Sequence, residues 1–471
     1  MKSLLNIIKG ITFSVAILAA VSSCMARKEY ERPKNVVDEK LFRTDMLPSD
    51  SINVANVSWK EIFTDPILQG HISKALENNL DIRIALQSIT SAEAYLKQSK
   101  AAYQPTVTVG PGYTFQTQSL NTQTGRLFGD RRYINQLDIT ASIGFEADIW
   151  GKLRAQEKAQ MATYLGTVAA HKAVKSDLVA SIASSYYQLL TFDDQKRIIT
   201  ETIAVREKNL ETTKALKASG TVTEVAVQQS EALVFNAKSL LIDIDTQIQL
   251  LENTMSLLMG EPSHAIERST LKSQHVPIDL KLGYPAQLLA NRPDVMRAEY
   301  SLMNAFELTN AAKAQFYPTL KITGNGGLQS MDIDHLFSVN SLFASVVGGL
   351  AQPILNRRTI KTNYEVSLAN QETAYLNFRK TVLTAGKEVS DAIRVFSVQD
   401  SFIDLKQKEL ESYKKSVDYS QELVNYGMAN YLEVLNASVN SLNAELNISN
   451  AQYSKMKAAV ELYQALGGGW K

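Results

Sequence analysis

Between residues 139 and 149 apolar and polar side chains alternate without a break. Ile139, Ala141, Ile143, Phe145, Ala147 and Ile149 take the odd positions, and Thr140, Ser142, Gly144, Glu146 and Asp148 the even ones. A period of two predicts a strand with two unlike faces. Further along, Ala237, Leu241, Ile244, Ile248, Leu251, Met255 and Leu258 recur at alternating spacings of four and three, the seam of a coiled coil. A matching row, Ala444, Ile448, Ala451, Lys455, Ala458, Leu462 and Ala465, is interrupted by Lys455.

These patterns belong to a duplicated unit. No proline lies between Pro111 and Pro262 or after Pro353, so two long stretches lack the strongest helix breaker. Gly220 and Gly427 stand 207 positions apart, and so do Gly260 and Gly467. Asp65-Pro66-Ile67 and Arg292-Pro293-Asp294 each place proline where a helix starts. Gln104-Pro105-Thr106-Val107 and Tyr317-Pro318-Thr319-Leu320 each switch the pattern to extended. The expected order in each half is a helix, two strands, a long helix, a turn at glycine and a second long helix. The first repeat (59–264) carries strands 106–118 and 136–149 and helices 152–219 and 222–259. A connection (265–284) leads to the second (285–471), with strands 319–331 and 341–353 and helices 357–426 and 430–466.

Composition adds little beyond an ordinary folded chain, at 45% apolar and 21% charged residues. The net charge of +1 argues against nucleic acid as a partner, since phosphate neutralisation needs a basic surplus. The N-terminus is more informative. Lys2 and Lys9 flank an apolar stretch from Ile11 to Val21 that ends in Ser22 and Ser23, directly before Cys24, the single cysteine. This reads as a signal peptide over 1–23 and is shorter than the ~20 residues of a spanning helix. Cys24 follows as in a bacterial lipobox, where the thiol is acylated, and opens a lipid-anchored segment over 24–58.

No second apolar run is long enough for a transmembrane helix, so any spanning falls to strands. A soluble sandwich strand would alternate as 139–149 does, but the length matches the ~9–11 residues of a tilted membrane strand. Four strands cannot close a barrel in lipid, where open edges leave backbone groups unsatisfied. Three copies would supply twelve strands and two would supply eight.

Catalytic chemistry is absent from the pattern. The five histidines, His71, His171, His264, His275 and His335, are scattered with no helical metal-pair spacing. Gly151-Lys152 and Gly386-Lys387 lack the upstream glycine of a phosphate loop, and no glycine-framed serine elbow is present. Gly324-Asn325-Gly326-Gly327 falls inside a strand and marks a bend in the sheet. No catalytic residue, metal site or cofactor is expected, and the chain reads as not an enzyme.

Several segments together resemble the outer-membrane factors of the TolC/OprM/NodT type. They are Trp59-Lys60-Glu61-Ile62-Phe63-Thr64-Asp65-Pro66 with Ala75-Leu76-Glu77-Asn78-Asn79, the junction Phe145-Glu146-Ala147-Asp148-Ile149-Trp150-Gly151-Lys152-Leu153, the run Asn291-Arg292-Pro293-Asp294, and the terminal Leu462-Tyr463-Gln464-Ala465-Leu466-Gly467-Gly468-Gly469-Trp470. The likeness covers nearly the whole chain. It implies a mainly α fold with a β-barrel part: a homotrimer whose twelve strands form one barrel in the outer membrane, continued by twelve helices across the periplasm. It implies an exit duct of a tripartite efflux system, passively exporting drugs or other small solutes delivered by an inner-membrane RND-type pump through a periplasmic adaptor.

The resemblance also implies sites. The turns Gly220-Thr221-Val222-Thr223 and Gly427-Met428-Ala429-Asn430 match those that meet the adaptor, besides being ordinary helix-closing turns. Glu433 matches an acidic position at the pore constriction, with Tyr426 nearby, and Asn436 stands where aspartate is common. A ring of Glu433 from several copies would attract cations. Rival readings are a structural coiled-coil lipoprotein of the outer membrane, against which the strand alternation speaks, and a type I protein-secretion duct.

Overall fold

The computed structural model describes residues 28–34, 36–37, 41–43, 57–117, 119–128, 133–274, 287–429 and 431–471. The expected signal peptide, Cys24, His275, Asn430 and the latter part of the expected 265–284 connection lie outside them.

After a short α1 (Trp59–Ile62), the first series is α2 (Pro66–Asn78), α3 (Leu80–Ala101), β1 (Thr106–Thr117), a short α4 (Gln123–Phe128), β2 (Tyr133–Ala147), α5 (Lys152–Ala218) and α6 (Glu224–Leu258). The second is α7 (Leu288–Asn291), α8 (Pro293–Ala314), β3 (Thr319–Ser330), β4 (Leu342–Ala351), α9 (Thr359–Asn425) and α10 (Tyr431–Ala465). Counterparts have equal lengths: 67 residues for α5 and α9, 35 for α6 and α10, and 22 for α3 and α8.

Local chemistry sets the boundaries. Pro66 and Pro293 open α2 and α8, and the Asp65 carboxylate caps α2 by accepting from the Ile67 N–H at 2.9 Å. α5 closes when Gly220, at φ 79°, lets its N–H reach the Lys217 carbonyl while Thr221 N–H reaches that of Leu216. Gly427, at φ 70°, repeats this on α9 with the carbonyls of Val424 and Leu423.

The second strand departs from its expected span of 136–149, running from Tyr133 to Ala147. It stops early because both Asp148 oxygens accept N–H groups of the coming helix, from Leu153 at 2.9 Å and Arg154 at 3.0 Å. Ile149, the last apolar position of the alternation, therefore falls in the turn rather than on the strand.

Two compact units cut across the repeats. Of the described residues, one comprises those in 28–33, 90–166 and 299–376, and the other those in 34–89, 167–298 and 377–471. The first unit holds the antiparallel sheet, in the order β1-β2-β3-β4, together with most of α8. The glycine run in β3 serves close approach: a Cβ on Gly327 would lie 1.9 Å from the Ile139 carbonyl oxygen of β2.

The second unit holds the helical pairs. The heptad rows face inward: Ala237, Ile244, Ile248 and Met255 are buried, as are Ala444, Ala451, Ala458 and Leu462. Lys455, the interruption, is half-buried and spends its charge on Asp400 at 2.5 Å. Two distant sequence signatures lock together here. Arg292 donates to the Ala465 carbonyl and pairs with Asp294 and Glu388, while Trp470 donates from its indole to the Asn291 carbonyl at 2.9 Å.

Candidate channel wall and helix-turn site

Register and alternation together give the sheet two faces. Val107↔Ile143 and Val109↔Ala141 across β1–β2, Phe145↔Ile322 across β2–β3, and Leu320↔Leu350 across β3–β4 place apolar side chains on one side. Thr108↔Ser142, Thr140↔Gly327, Ser142↔Asn325 and Glu146↔Lys321 place polar ones on the other. Phe343 and Val347 of β4 are apolar exceptions on that second face. Ser142 donates to Asn325 at 2.8 Å, and Thr140 to Asp138 at 3.0 Å, so the polar side is itself hydrogen-bonded. On the apolar side Val109, Val346 and Leu350 stay exposed in the single chain, which no water-facing sheet favours.

Aromatic pairs mark both ends. Phe115 stacks on Tyr133 at 5.9 Å beside the β1–β2 connection, and Trp150 stacks on Tyr317 at 4.8 Å where strands pass to helices. Trp150 also donates to the Pro318 carbonyl at 2.7 Å. Amphipathic rings at two levels flanking an apolar band are the dress of a sheet in a bilayer. Among the described residues no helix is long and apolar enough to cross a membrane. Among the described residues β1 and β4 each carry one edge without a partner strand, a state that hydrocarbon penalises by several kcal/mol per unsatisfied group.

The two glycine turns meet. Val222 of the first and Ala429 of the second both pack against one buried cluster, Val424, Tyr431, Val434 and Leu435, joined by Leu216, Ala226 and Leu233. Residues of the turns themselves stay open: Gly220 and Gly427 have empty space where a Cβ would sit, and Met428 is 76% exposed. Thr221 bonds with Ser219 at 3.0 Å, and Thr223 precedes α6 without a side-chain cap. Lys217 and Glu224 form an ion pair across the first turn.

Glu433 and Asn436 lie three residues apart on an exposed face of α10, away from the buried Val434 and Leu435. Tyr426 is 73% exposed beside the second turn. The structure thus joins Val222 with Ala429 on one cluster, while Tyr426, Glu433 and Asn436 are exposed. Sequence reasoning did not single out Tyr431, Val434 and Leu216 as the side chains that carry this junction. Their apolar spacing across the ends of α5 and α10 was visible, but which helix they would meet was not. Among the described residues no group of three or more His, Cys, Asp or Glu is arranged to hold a metal ion.

A four-stranded sheet with one lipid-type face, aromatic levels at both ends and a long helical pair after each strand pair defines a β-walled outer-membrane protein. Residues 71–261 and 284–468 match the outer membrane efflux protein family, and the chain belongs to that family. It is 26% identical over 465 residues to the cation efflux system protein CusC of Escherichia coli, covering 98% of this chain and 99% of that one. It is 28% identical over 422 residues to the solvent efflux pump outer membrane protein SrpC of Pseudomonas putida, covering 89% of each. The fold is shared with the open state of the Neisseria gonorrhoeae MtrE outer membrane channel, with a TM-score of 0.80 at 24% identity over 94% of this chain and 98% of that one.

Proposed function

We propose that three copies of this chain close into one duct, each contributing its four strands to a twelve-stranded barrel and its long helices to a helical barrel. The observation that carries the reading is the amphipathic sheet whose two edges, β1 and β4, have no partner strand among the described residues. Copies joined edge to edge satisfy those backbone groups and leave no open edge in lipid. A second row supports it: Phe235, Ile242, Leu250 and Leu257 of α6 recur at heptad-like spacing and are all exposed in the single chain, on a face that a neighbouring copy covers.

The duct is passive. Solutes reach it from an inner-membrane RND-type pump through a periplasmic adaptor that meets the turns at Gly220-Thr221-Val222-Thr223 and Gly427-Met428-Ala429, together with Asn430. The shared cluster under these turns makes them one mechanical element, so a contact at either shifts both. Glu433 from each copy lines a constriction and favours cations, with Tyr426 and Asn436 beside it.

Cys24 carries the lipid anchor. The chain shortly after it is held to α8: Asn310 donates to the Lys28 carbonyl at 3.1 Å, Tyr30 sits edge-on to Phe306, and Arg32 grips Glu299 at 2.6 and 2.7 Å. α8 leads directly to Tyr317 of the aromatic level, which suits an acyl chain entering the same leaflet.

The test is conductance of the detergent-extracted protein in a planar bilayer, native chain against Glu433→Ala. Small cation-selective currents that lose selectivity on substitution support the reading. A well-folded oligomer that never conducts, even when the turns are loosened by substitution, overturns it in favour of a structural tether.

A further inference from the structure

The two repeats handle the passage from strand to helix differently. In the first, β2 leads to α5 through Asp148-Ile149-Trp150-Gly151, and Gly151 takes the left-handed φ of 73° just before the helix begins at Lys152. The equivalent stretch 207 positions later is Leu355-Asn356-Arg357-Arg358, before α9 begins at Thr359. Here an arginine stands at the glycine position: Arg358 has φ 67°, and Arg357 before it has φ 52°. L side chains resist this conformation, and non-glycine residues held in it cluster where the strain serves a purpose.

The neighbours of these arginines are unusual too. Ile354 and Leu355 are 85% and 97% exposed, although a chain of this kind has a core in which to bury them. The linker leaves β4 at Ala351, paired with Thr319, and Thr319 lies two residues from Tyr317 of the Trp150–Tyr317 aromatic level. Two bare aliphatic side chains followed by two guanidiniums at an interfacial level match a phospholipid monolayer, with apolar tips for the acyl region and cations for the phosphates. Arg358 is held by Glu365, whose oxygens lie 2.9 and 3.0 Å from Nη2.

We propose that the linker 352–358 is a phospholipid-headgroup site of the periplasmic leaflet, with Ile354 and Leu355 inserted among acyl chains and Arg357 and Arg358 bound to phosphate oxygens. It rests on the reading of the sheet as a membrane wall. The paired guanidiniums favour lipid over a second copy of this chain, which would cover the apolar pair but bring no phosphate. Three copies would set a ring of such sites around the duct, fixing its depth in the bilayer.

The full chain with Cys24→Ser is given one new cysteine bearing a nitrobenzoxadiazole probe, at Leu355→Cys or, as control, at Val346→Cys on the apolar face of β4. Each is reconstituted in vesicles of phosphatidylcholine with or without phosphatidylglycerol, doped with lipids spin-labelled high on the acyl chain. The expected result is quenching at both positions. Arg357→Ala with Arg358→Gly, which places at 358 the glycine that the first repeat carries at 151, lowers the enrichment of phosphatidylglycerol around Leu355→Cys about fivefold, Arg358 being already paired with Glu365. A Leu355→Cys probe shielded from water but not quenched by lipid is buried against another copy, and overturns the proposal. So does a probe that stays in water, or an enrichment unmoved by the arginine changes. If Val346→Cys also escapes quenching, the membrane-wall reading itself fails, which separates the two failures.

Discussion

Arg206 donates from Nη1 to the Leu233 carbonyl at 2.7 Å, from α5 to α6, while only 4% exposed and with no acceptor for its Nε among the described residues. Burial pulls its pKa down, as desolvation does to any cation. A buried charge without a carboxylate is a destabilising feature, and an apolar side chain of similar volume removes it. Arg206→Met is therefore expected to leave the protein as stable as before, or more stable by about 1–4 kcal/mol. Thermal unfolding of the purified protein reads this directly, and a clear drop would mean that a neighbouring copy supplies the missing acceptor.

The four helix-closing glycines differ in what surrounds them. Gly220 and Gly427 have nothing within 4 Å of an added Cβ, whereas on Gly260 it would meet the Asn78 carbonyl oxygen at 2.6 Å and on Gly467 the Asn291 backbone at 2.5 Å. Gly220→Ala and Gly427→Ala should each cost only the left-handed penalty, about 1–2 kcal/mol. Gly260→Ala and Gly467→Ala add a clash with backbone that cannot step aside, and should cut the yield of folded protein sharply. Denaturant midpoints of the four variants give the comparison.

Asp65 accepts from Ser269, Tyr186 and Gln274 through one oxygen and from the Ile67 N–H through the other. Burial pushes its pKa up, and these four bonds outweigh it and hold the carboxyl below its ordinary value. A depressed folded pKa gives stability that is full above the unfolded pKa and is lost as pH falls through the folded one. Asp65→Asn should destabilise the protein by about 1–2 kcal/mol near neutral pH and by progressively less in acid. Melting curves over a pH series check the sign.

Asn436 lies one helical turn beyond Glu433 on the same exposed face of α10. Asn436→Asp doubles the carboxylates at this level, so cation selectivity and block by divalent ions should both strengthen in bilayer recordings. Unchanged currents would place the constriction elsewhere.

Much of the architecture was legible in advance. Strict alternation at 139–147 marked a strand, the four-three rows marked the seams that α6 and α10 bury, and prolines and glycines marked where helices open and close. The overrun to Ile149 shows where such reading fails. Alternation continues on paper past Ala147, but Asp148 is claimed by the N–H groups of α5, a competition that period-two counting does not register. Lys455 looked like a flaw in the second row until Asp400, 55 positions away, supplied its partner. At the candidate site, the turns were legible from glycine, while the cluster that joins them was not.

The division follows the range of the forces. Residue spacing by itself determined the duplication, the element order, the two-faced strands and the glycine turns, because each reflects the backbone's own period or its permitted φ and ψ within a few residues. Only the tertiary structure decided that Arg292 would cap the chain 173 positions away at Ala465, that Val222 and Ala429 would share one buried cluster, and that Arg358 would stand in the left-handed position its counterpart Gly151 fills freely. Those outcomes depend on which surfaces meet once the elements pack, and burial rewards contact without regard to distance along the chain.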